Sequence, residues 1–228
     1  MHLVELHEEA ELDESGELLQ EDLTVGEGEE AVNGLRLEVH ARGTLRDGSV
    51  FTDTHTADRP LVVMLGRGEI IDGLEQGMVG MKEGGTRRLT IPPRLAFGVR
   101  EIDGIPPNST VVFDVELLRV DSPDSMHVDD VKVGTGLTAA SGDTLTTHYL
   151  GYLTNGTVFD QSSQPIQFVL GQTDLIKGWT QGLVGMREGG VRRLVIPPAL
   201  GYGIEGRGAI PPNATLVFEI ELEKVAKK

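Results

Sequence analysis

Arg87-Arg88, Arg192-Arg193, His148 and three Asn-x-Thr triplets at Asn108, Asn155 and Asn213 are the side chains whose types and spacing first invite a chemical reading. Each resolves to structure before chemistry. The arginine pairs sit in alternating runs beside a glycine turn, which sends one side chain inward and one outward and does not make a phosphate site. His148 lies in a strand-like run where a structural hydrogen bond is the simpler role and a catalytic one the sharper alternative. All three asparagines fall in turns, where Asn is chosen for its backbone, so glycosylation is the weaker reading. GRGEII at Gly66 lacks the third glycine of a dinucleotide fingerprint, and no GxSxG elbow, HExxH or P-loop is present. Cysteine is absent, which removes disulfides, thiol nucleophiles and thiolate zinc sites. No metal and no cofactor is expected.

The chain is instead organised around a stretch that it contains twice. Gly77 to Gly98 reads GMVGMKEGGTRRLTIPPRLAFG and Gly182 to Gly203 reads GLVGMREGGVRRLVIPPALGYG, identical at 15 of 22 positions without a gap. In the second copy an apolar run (Leu183, Val184, Met186) gives way to Glu188-Gly189-Gly190, a turn signal because glycine takes positive φ without strain. An alternating run to Ile196 follows, and Pro197-Pro198 stops the ladder because proline has no N–H to donate. The repeat extends further. His40 corresponds to His148 at an offset of 108, and after the loop that follows Phe51 and Phe159 the offset becomes 105, as for Phe113 and Phe218. The second copy is three residues shorter in that loop.

A chain of 228 residues with such a repeat holds two domains. Their expected bounds are an acidic arm over 1–18, a first domain over 19–120, a linker over 121–125 and a second domain over 126–228. Residues 1 to 30 hold twelve acids and no Lys or Arg, which leaves −4 of the formal −16 for everything after. The acidity therefore reads as a property of an arm, either a flexible solvated extension or a docking segment for a basic partner. Such a charge disfavours nucleic acid and anionic membrane, whose phosphates need a basic surface. With no apolar window of about 18 residues and no leader pattern, neither a membrane span nor a signal peptide is expected. The compartment stays open: a soluble protein of the cytoplasm, or of the periplasm or exterior after removal of a leader.

Within the second domain, Asp143 to Leu153 alternates as a strand, Asn155-Gly156 turns the chain, and Val158-Phe159 begins the return. Pro165 to Leu170 is another strand. Thr173 can cap a short helix in which Leu175, Ile176, Trp179 and Leu183 share one face. Strands over Glu188 to Ile196 and Thr215 to Val225 flank a Gly-rich loop from Tyr202 to Pro212. Many short strands and one short helix, each with an apolar face, predict an α+β domain with an antiparallel sheet wrapped on the helix.

Tyr149 in HYLG, Phe159-Asp160 after the Asn-Gly turn, LGQTDLIKGW ending at Trp179, Tyr202 in GYG and the terminal IPPNATLVFEIEL together resemble FKBP-type peptidyl-prolyl cis-trans isomerases along the whole second domain. The resemblance implies a half-barrel of antiparallel strands around a short helix, with an apolar pocket between them, in both copies. It implies an enzyme that twists Xaa-Pro bonds without covalent chemistry. Trp179 would be the floor under the proline ring, with Phe218, Tyr149, Ile166, Leu175, Ile176 and Ile210 as wall. Phe159 and Asp160 would lie beside the carbonyl preceding proline, Tyr202 would offer a phenolic hydrogen bond, and the Ile176 N–H would bind a carbonyl. Partners implied are proline-containing flexible segments and the macrolides tacrolimus and rapamycin, with a monomeric chain expected. Taken singly, Phe218 and Ile210 read equally well as core.

The first domain departs from this pattern. Ala41 stands for Tyr149, Thr52 for Asp160, Leu61 for Ile166, Leu74 for Trp179 and Phe97 for Tyr202, while Phe51, Ile70, Ile71, Ile105 and Phe113 keep the apolar frame. A degenerate first domain beside an active second one is expected. The competing class is a non-catalytic module or chaperone that merely holds proline-containing segments. The loops from Phe97 to Pro106 and from Tyr202 to Pro211 are too short for an inserted chaperone domain.

Overall fold

Alternation of apolar and polar residues over ten or eleven positions lets one face of a strand meet a core while the other meets water, and the longest such runs become the central strands of two sheets. The computed structural model describes residues 16–228 apart from 57, 58, 103, 173 and 174. The chain divides into two units between Val120 and Asp121.

In the first unit the strands are β1 (Leu19–Thr24), β2 (Arg36–Leu45), β3 (Val50–Asp53), β4 (Leu61–Met64), β5 (Thr86–Ile91) and β6 (Val111–Asp121), with the helix α1 (Asp72–Met78) between β4 and β5. The sheet runs β1-β5-β6-β2, and β3 and β4 both pair with β2. The second unit repeats this with β7 (His127–Lys132), β8 (Thr144–Leu153), β9 (Val158–Gln161), β10 (Ile166–Val169), α2 (Lys177–Gly182), β11 (Val191–Ile196) and β12 (Leu216–Ala226). Its order is β7-β11-β12-β8, with β9 and β10 both on β8. Every registered pairing is antiparallel. The α+β class and the half-barrel around a short helix are as the sequence predicts. Among the described residues no helix is long and apolar enough to cross a membrane.

Glycine sets how closely each helix lies on its sheet. A Cβ on Gly178 would stand 2.5 Å from Ile196 Cγ2, and one on Gly182 would stand 2.7 Å from a Leu194 methyl. Residues four apart share a helix face, so these two open the face of α2 that β11 fills. The arrangement costs helix propensity, about 1 kcal/mol per glycine, and gains a close apolar contact. Gly73 and Gly77 do the same against Ile91 and Leu89.

Arg192 ties three pieces together. Its Nη1 donates to the carbonyls of Gly182 (2.8 Å) and Val184 (3.1 Å) where α2 ends, and its Nε and Nη2 hold both oxygens of Asp130 on β7 (2.8 and 2.9 Å). Arg87 repeats the carbonyl contacts with Gly77 and Val79 and holds Asp22 through Nε alone, at 2.6 Å. Replacing Arg192 by Ala leaves near-buried carbonyls without a donor and releases the edge strand. We expect a loss of about 2 to 3 kcal/mol, the scale of charged hydrogen bonds, measured as a lower urea midpoint of the second unit. Arg192→Lys gives little rescue because an ammonium cannot form the planar fork.

Three expectations need correction. Leu19–Thr24 and His127–Lys132 are strands that no sustained period in the sequence announces, so Glu21 and Asp22 belong to the sheet and the acidity is not confined to an arm. Their polar, exposed composition hides them, since each is an edge strand held by its Arg–Asp pair. The helix α2 begins at Lys177 after Ile176 in extended conformation, with no side-chain cap; the capping role given to Thr173 lies outside the described residues. The Asn-Gly turn joins β8 and β9 as expected, with positive φ at Gly156 alone and the Asn155 side chain accepting from Thr157 N–H at 3.0 Å. Lastly, Arg88 faces outward as expected but Arg193 does not, being 4% exposed. On its sheet face Tyr152 and Glu219 lie beside it, the Tyr152 hydroxyl donating to Glu219 at 3.2 Å. Asn108 and Asn213 do occupy turns, at φ 60 and 56. His148 makes structural contacts, to Ser162 Oγ at 3.3 Å and Glu223 at 3.3 Å.

Candidate functional site

In the second unit α2 is too short to cover the sheet, and a cavity of about 400 Å³ opens between them. Tyr149 comes from β8, Phe159 and Asp160 from β9, Ile166 from β10, Leu175 and Ile176 from the lead into α2, Trp179 from α2, Tyr202 and Ile210 from the loop before β12, and Phe218 from β12. All ten residues that the sequence singles out line this one cavity. None is stranded elsewhere.

Its floor is aromatic. The Trp179 ring, 5% exposed, meets Tyr149 edge-on at 5.2 Å and Phe218 edge-on at 5.3 Å, with Phe168 behind it at 5.5 Å. Such edge-to-face pairs each contribute roughly 0.5 to 1.5 kcal/mol beyond burial. Among the described residues the buried indole N–H has no hydrogen-bond partner. Phe159 packs edge-on against Phe218 at 5.4 Å. Where these two rings meet, a Cβ on Gly151 would stand 2.8 Å from both. The glycine of HYLG is therefore the space that the rings occupy.

Strict alternation would send Phe159 and Asp160 to opposite faces. The β8–β9 register instead pairs Gly151 with Asp160 and Tyr152 with Val158, so Phe159 is the extra residue of a bulge. Both side chains then reach the pocket, the usual way a bulge re-aims its neighbours. Asp160 accepts from the Tyr149 hydroxyl at 2.8 Å. Burial, and then that hydrogen bond, push the Tyr149 phenol up to about 12. The phenol thus stays a donor through the physiological range. Because its folded value is raised, the stability it adds is present below about pH 10 and is lost as pH rises from there toward 12. Alkaline absorbance titration of the three tyrosines should show a phenol ionising near 12 that Tyr149→Phe removes.

Sequence reasoning missed Arg207, Gly208 and Ala209, which also line the pocket. The Arg207 guanidinium lies over the Tyr202 ring at 5.5 Å. Its signal was a single cation in a loop read only as Gly-rich. Phe168 was missed because it sits behind Trp179 on the wall strand β10.

The first unit keeps the frame and fills the floor differently. Phe51 meets Phe113 edge-on at 5.5 Å, matching Phe159 on Phe218, and Gly43 leaves the same space between them. The bulge recurs at Phe51. Leu74 is 8% exposed and Ala41 2% exposed, both within the apolar core, and Phe97 packs edge-on against Phe51 at 6.2 Å. No indole, no phenol and no carboxylate stands at those mapped positions.

The family described as FKBP-type peptidyl-prolyl cis-trans isomerase matches residues 27–118 and 136–223, one match in each unit. The peptidyl-prolyl cis-trans isomerase FKBP9 of Rattus norvegicus is 41% identical over 191 residues, covering 80% of this chain and 33% of that protein. The chain thus spans about a third of the length of the first curated relatives it matches. An FK506-binding protein of Neisseria meningitidis serogroup A is 50% identical over 105 residues, 44% of this chain and 96% of that protein. Among solved structures, that of FkpA from Escherichia coli is 41% identical over 46% of this chain and 48% of its own, with a TM-score of 0.43.

Proposed function

The chain belongs to the FKBP-type peptidyl-prolyl cis-trans isomerases, with one family domain in each unit, and on that premise we propose that its second unit catalyses cis-trans isomerisation of Xaa-Pro bonds while its first unit is catalytically silent. The observation that carries this reading is the meeting of all ten singled-out residues in one cavity, over an aromatic floor that the first unit lacks.

The uncatalysed reaction crosses a barrier of roughly 18 to 20 kcal/mol held up by amide resonance and takes about tens of seconds. Twisting the imide breaks the resonance and leaves its carbonyl less charged and its nitrogen more basic. A surround that fits the twisted bond better than either planar isomer lowers the barrier with no covalent step. Here Trp179 takes the proline ring, and Phe218, Tyr149, Ile166, Leu175 and Ile210 exclude water around it. Phe159 and Asp160 flank the carbonyl before proline, and Tyr149 keeps the Asp160 carboxylate in one orientation. The Tyr202 hydroxyl and the Ile176 N–H, which donates to no described residue, hold the peptide backbone in register. Substrates on this reading are exposed proline-containing segments of other proteins, and macrolides such as tacrolimus compete for the same floor.

The test is a protease-coupled isomerisation assay on the whole chain. Acceleration of a short Xaa-Pro peptide, abolished by one equivalent of tacrolimus per chain, is the expected result. Peptide binding without acceleration would instead make the pocket a proline-binding module, and inhibition that needs two equivalents would put a working site in the first unit as well.

A further inference from the structure

We propose that Arg207 selects, among proline-containing segments, those that carry a carboxylate side chain next to the proline, by pairing with it at the mouth of the pocket. The inference rests on the isomerase reading of that pocket and names the class of segment it takes.

Two charged residues line the cavity, Asp160 and Arg207. The carboxylate is already engaged by the Tyr149 hydroxyl at 2.8 Å. The guanidinium is not: among the described residues no carboxylate pairs with Arg207, and its one partner is the face of Tyr202 at 5.5 Å. Glu205, two residues earlier in the same loop, is exposed, pairs with nothing described and does not line the cavity. Stacking on Tyr202 holds a long side chain beside the site and leaves its N–H edges free, which is the geometry that receives a carboxylate. With the floor taking the proline ring, the residues reaching Arg207 are those adjoining that proline.

The loop does not need the arginine in order to fold. Arg207 and Ile210 exchange backbone hydrogen bonds of 2.9 Å each. In the first unit Ile102 and Ile105 form the same bridge at the matching positions, with an isoleucine in place of the cation. The side chain at 207 is therefore free to serve the ligand. In a chain of net charge −16, an unpaired cation at the mouth of a pocket also gives acidic segments a local attraction against the general repulsion, which salt screens beyond about 8 Å at physiological strength.

The experiment compares peptides that differ only in the residue before proline, Glu, Gln or Lys, on the whole chain at physiological ionic strength. Each is read twice, by isomerisation kcat/KM and by quenching of Trp179, the single tryptophan. Expected is a Glu over Gln preference of about two- to five-fold, the range of an exposed ion pair, with Lys poorer still. Arg207→Gln brings the Glu-to-Gln ratio to about one, and Arg207→Glu reverses it in favour of Lys. Because each ratio is taken on one preparation, any loss of folded protein cancels. A ratio of one in the unaltered chain, or a preference that survives Arg207→Gln, overturns the proposal while the isomerase reading stands. Should no peptide be isomerised, the isomerase reading fails, and the quenching ratios still decide whether Arg207 discriminates.

Discussion

Trp179→Leu lowers kcat/KM toward an Xaa-Pro peptide by about tenfold or more and weakens tacrolimus to a similar degree, with the second unit still folded. The indole makes edge-to-face or tilted contacts with Tyr149, Phe168 and Phe218. A leucine forfeits all three and leaves Tyr149 without the ring against which its phenol is set. Those lost contacts weaken the fold; the loss in kcat/KM comes from removing the flat surface that takes the proline ring, and tenfold corresponds to about 1.4 kcal/mol of transition-state fit. Survival of the fold follows from the first unit, where Leu74 occupies the same place on α1 at 8% exposure. The cost in stability is that of a large-to-small core change, about 2 to 4 kcal/mol, read from urea unfolding. Full activity in a folded Trp179→Leu chain would remove the floor from the mechanism.

The converse experiment starts from that weakened variant. Adding Leu74→Trp, Ala41→Tyr, Thr52→Asp and Phe97→Tyr to the Trp179→Leu chain raises activity above the residual level of that variant, and the gain comes from the first unit. The bulge at Phe51 and the space at Gly43 already aim position 52 as the second unit aims Asp160. The four changes act as a unit. A lone Tyr at position 41 overpacks a core residue that is 2% exposed, at about 1 to 3 kcal/mol, and finds no carboxylate for its hydroxyl. A lone Asp at 52 lacks that phenol. Single variants should therefore show no gain over the Trp179→Leu background and the fourfold variant a measurable one, since coupled residues are non-additive. A fourfold variant that folds and shows no gain assigns the difference to the loops, either the three residues by which those after Phe51 and Phe159 differ or the exchange of Arg207 for Ile102.

The pocket was legible because its residues are unusual types in a fixed order. A single tryptophan, an aspartate following a phenylalanine, and a tyrosine between glycines do not arise from a simple core pattern. What stayed hidden depends on relations between distant positions. The bulge that turns both Phe159 and Asp160 inward is a property of the β8–β9 register, and nothing in VFD announces it. The strands β1 and β7 show no sustained period because they are held from outside, by Asp22 and Asp130, each paired with an arginine 65 and 62 residues away. Arg207 became visible only when the loop closed over Tyr202. Helix α2 begins later than its apolar spacing suggests because Leu175 and Ile176 are presented to the pocket from extended backbone.

Those two aspartates also bear on how the chain assembles during synthesis. Each edge strand is fastened by the same kind of pair, an acid on an arginine that also closes a helix, so the pair fixes register without specifying which copy of the sheet it joins. Asp22 would satisfy Arg192 as well as Arg87. The longer loop between Asp22 and Arg192, 170 residues against 65, disfavours the wrong choice by less than about 1 kcal/mol of closure entropy. At equilibrium that is a weak discriminator between tandem repeats of one fold, whose characteristic failure is exchange of equivalent elements. Emergence from the ribosome supplies a stronger one. Leu19–Thr24 and its partner Thr86–Ile91 are both synthesised before Val191–Ile196, so the order of translation offers Asp22 its own arginine first.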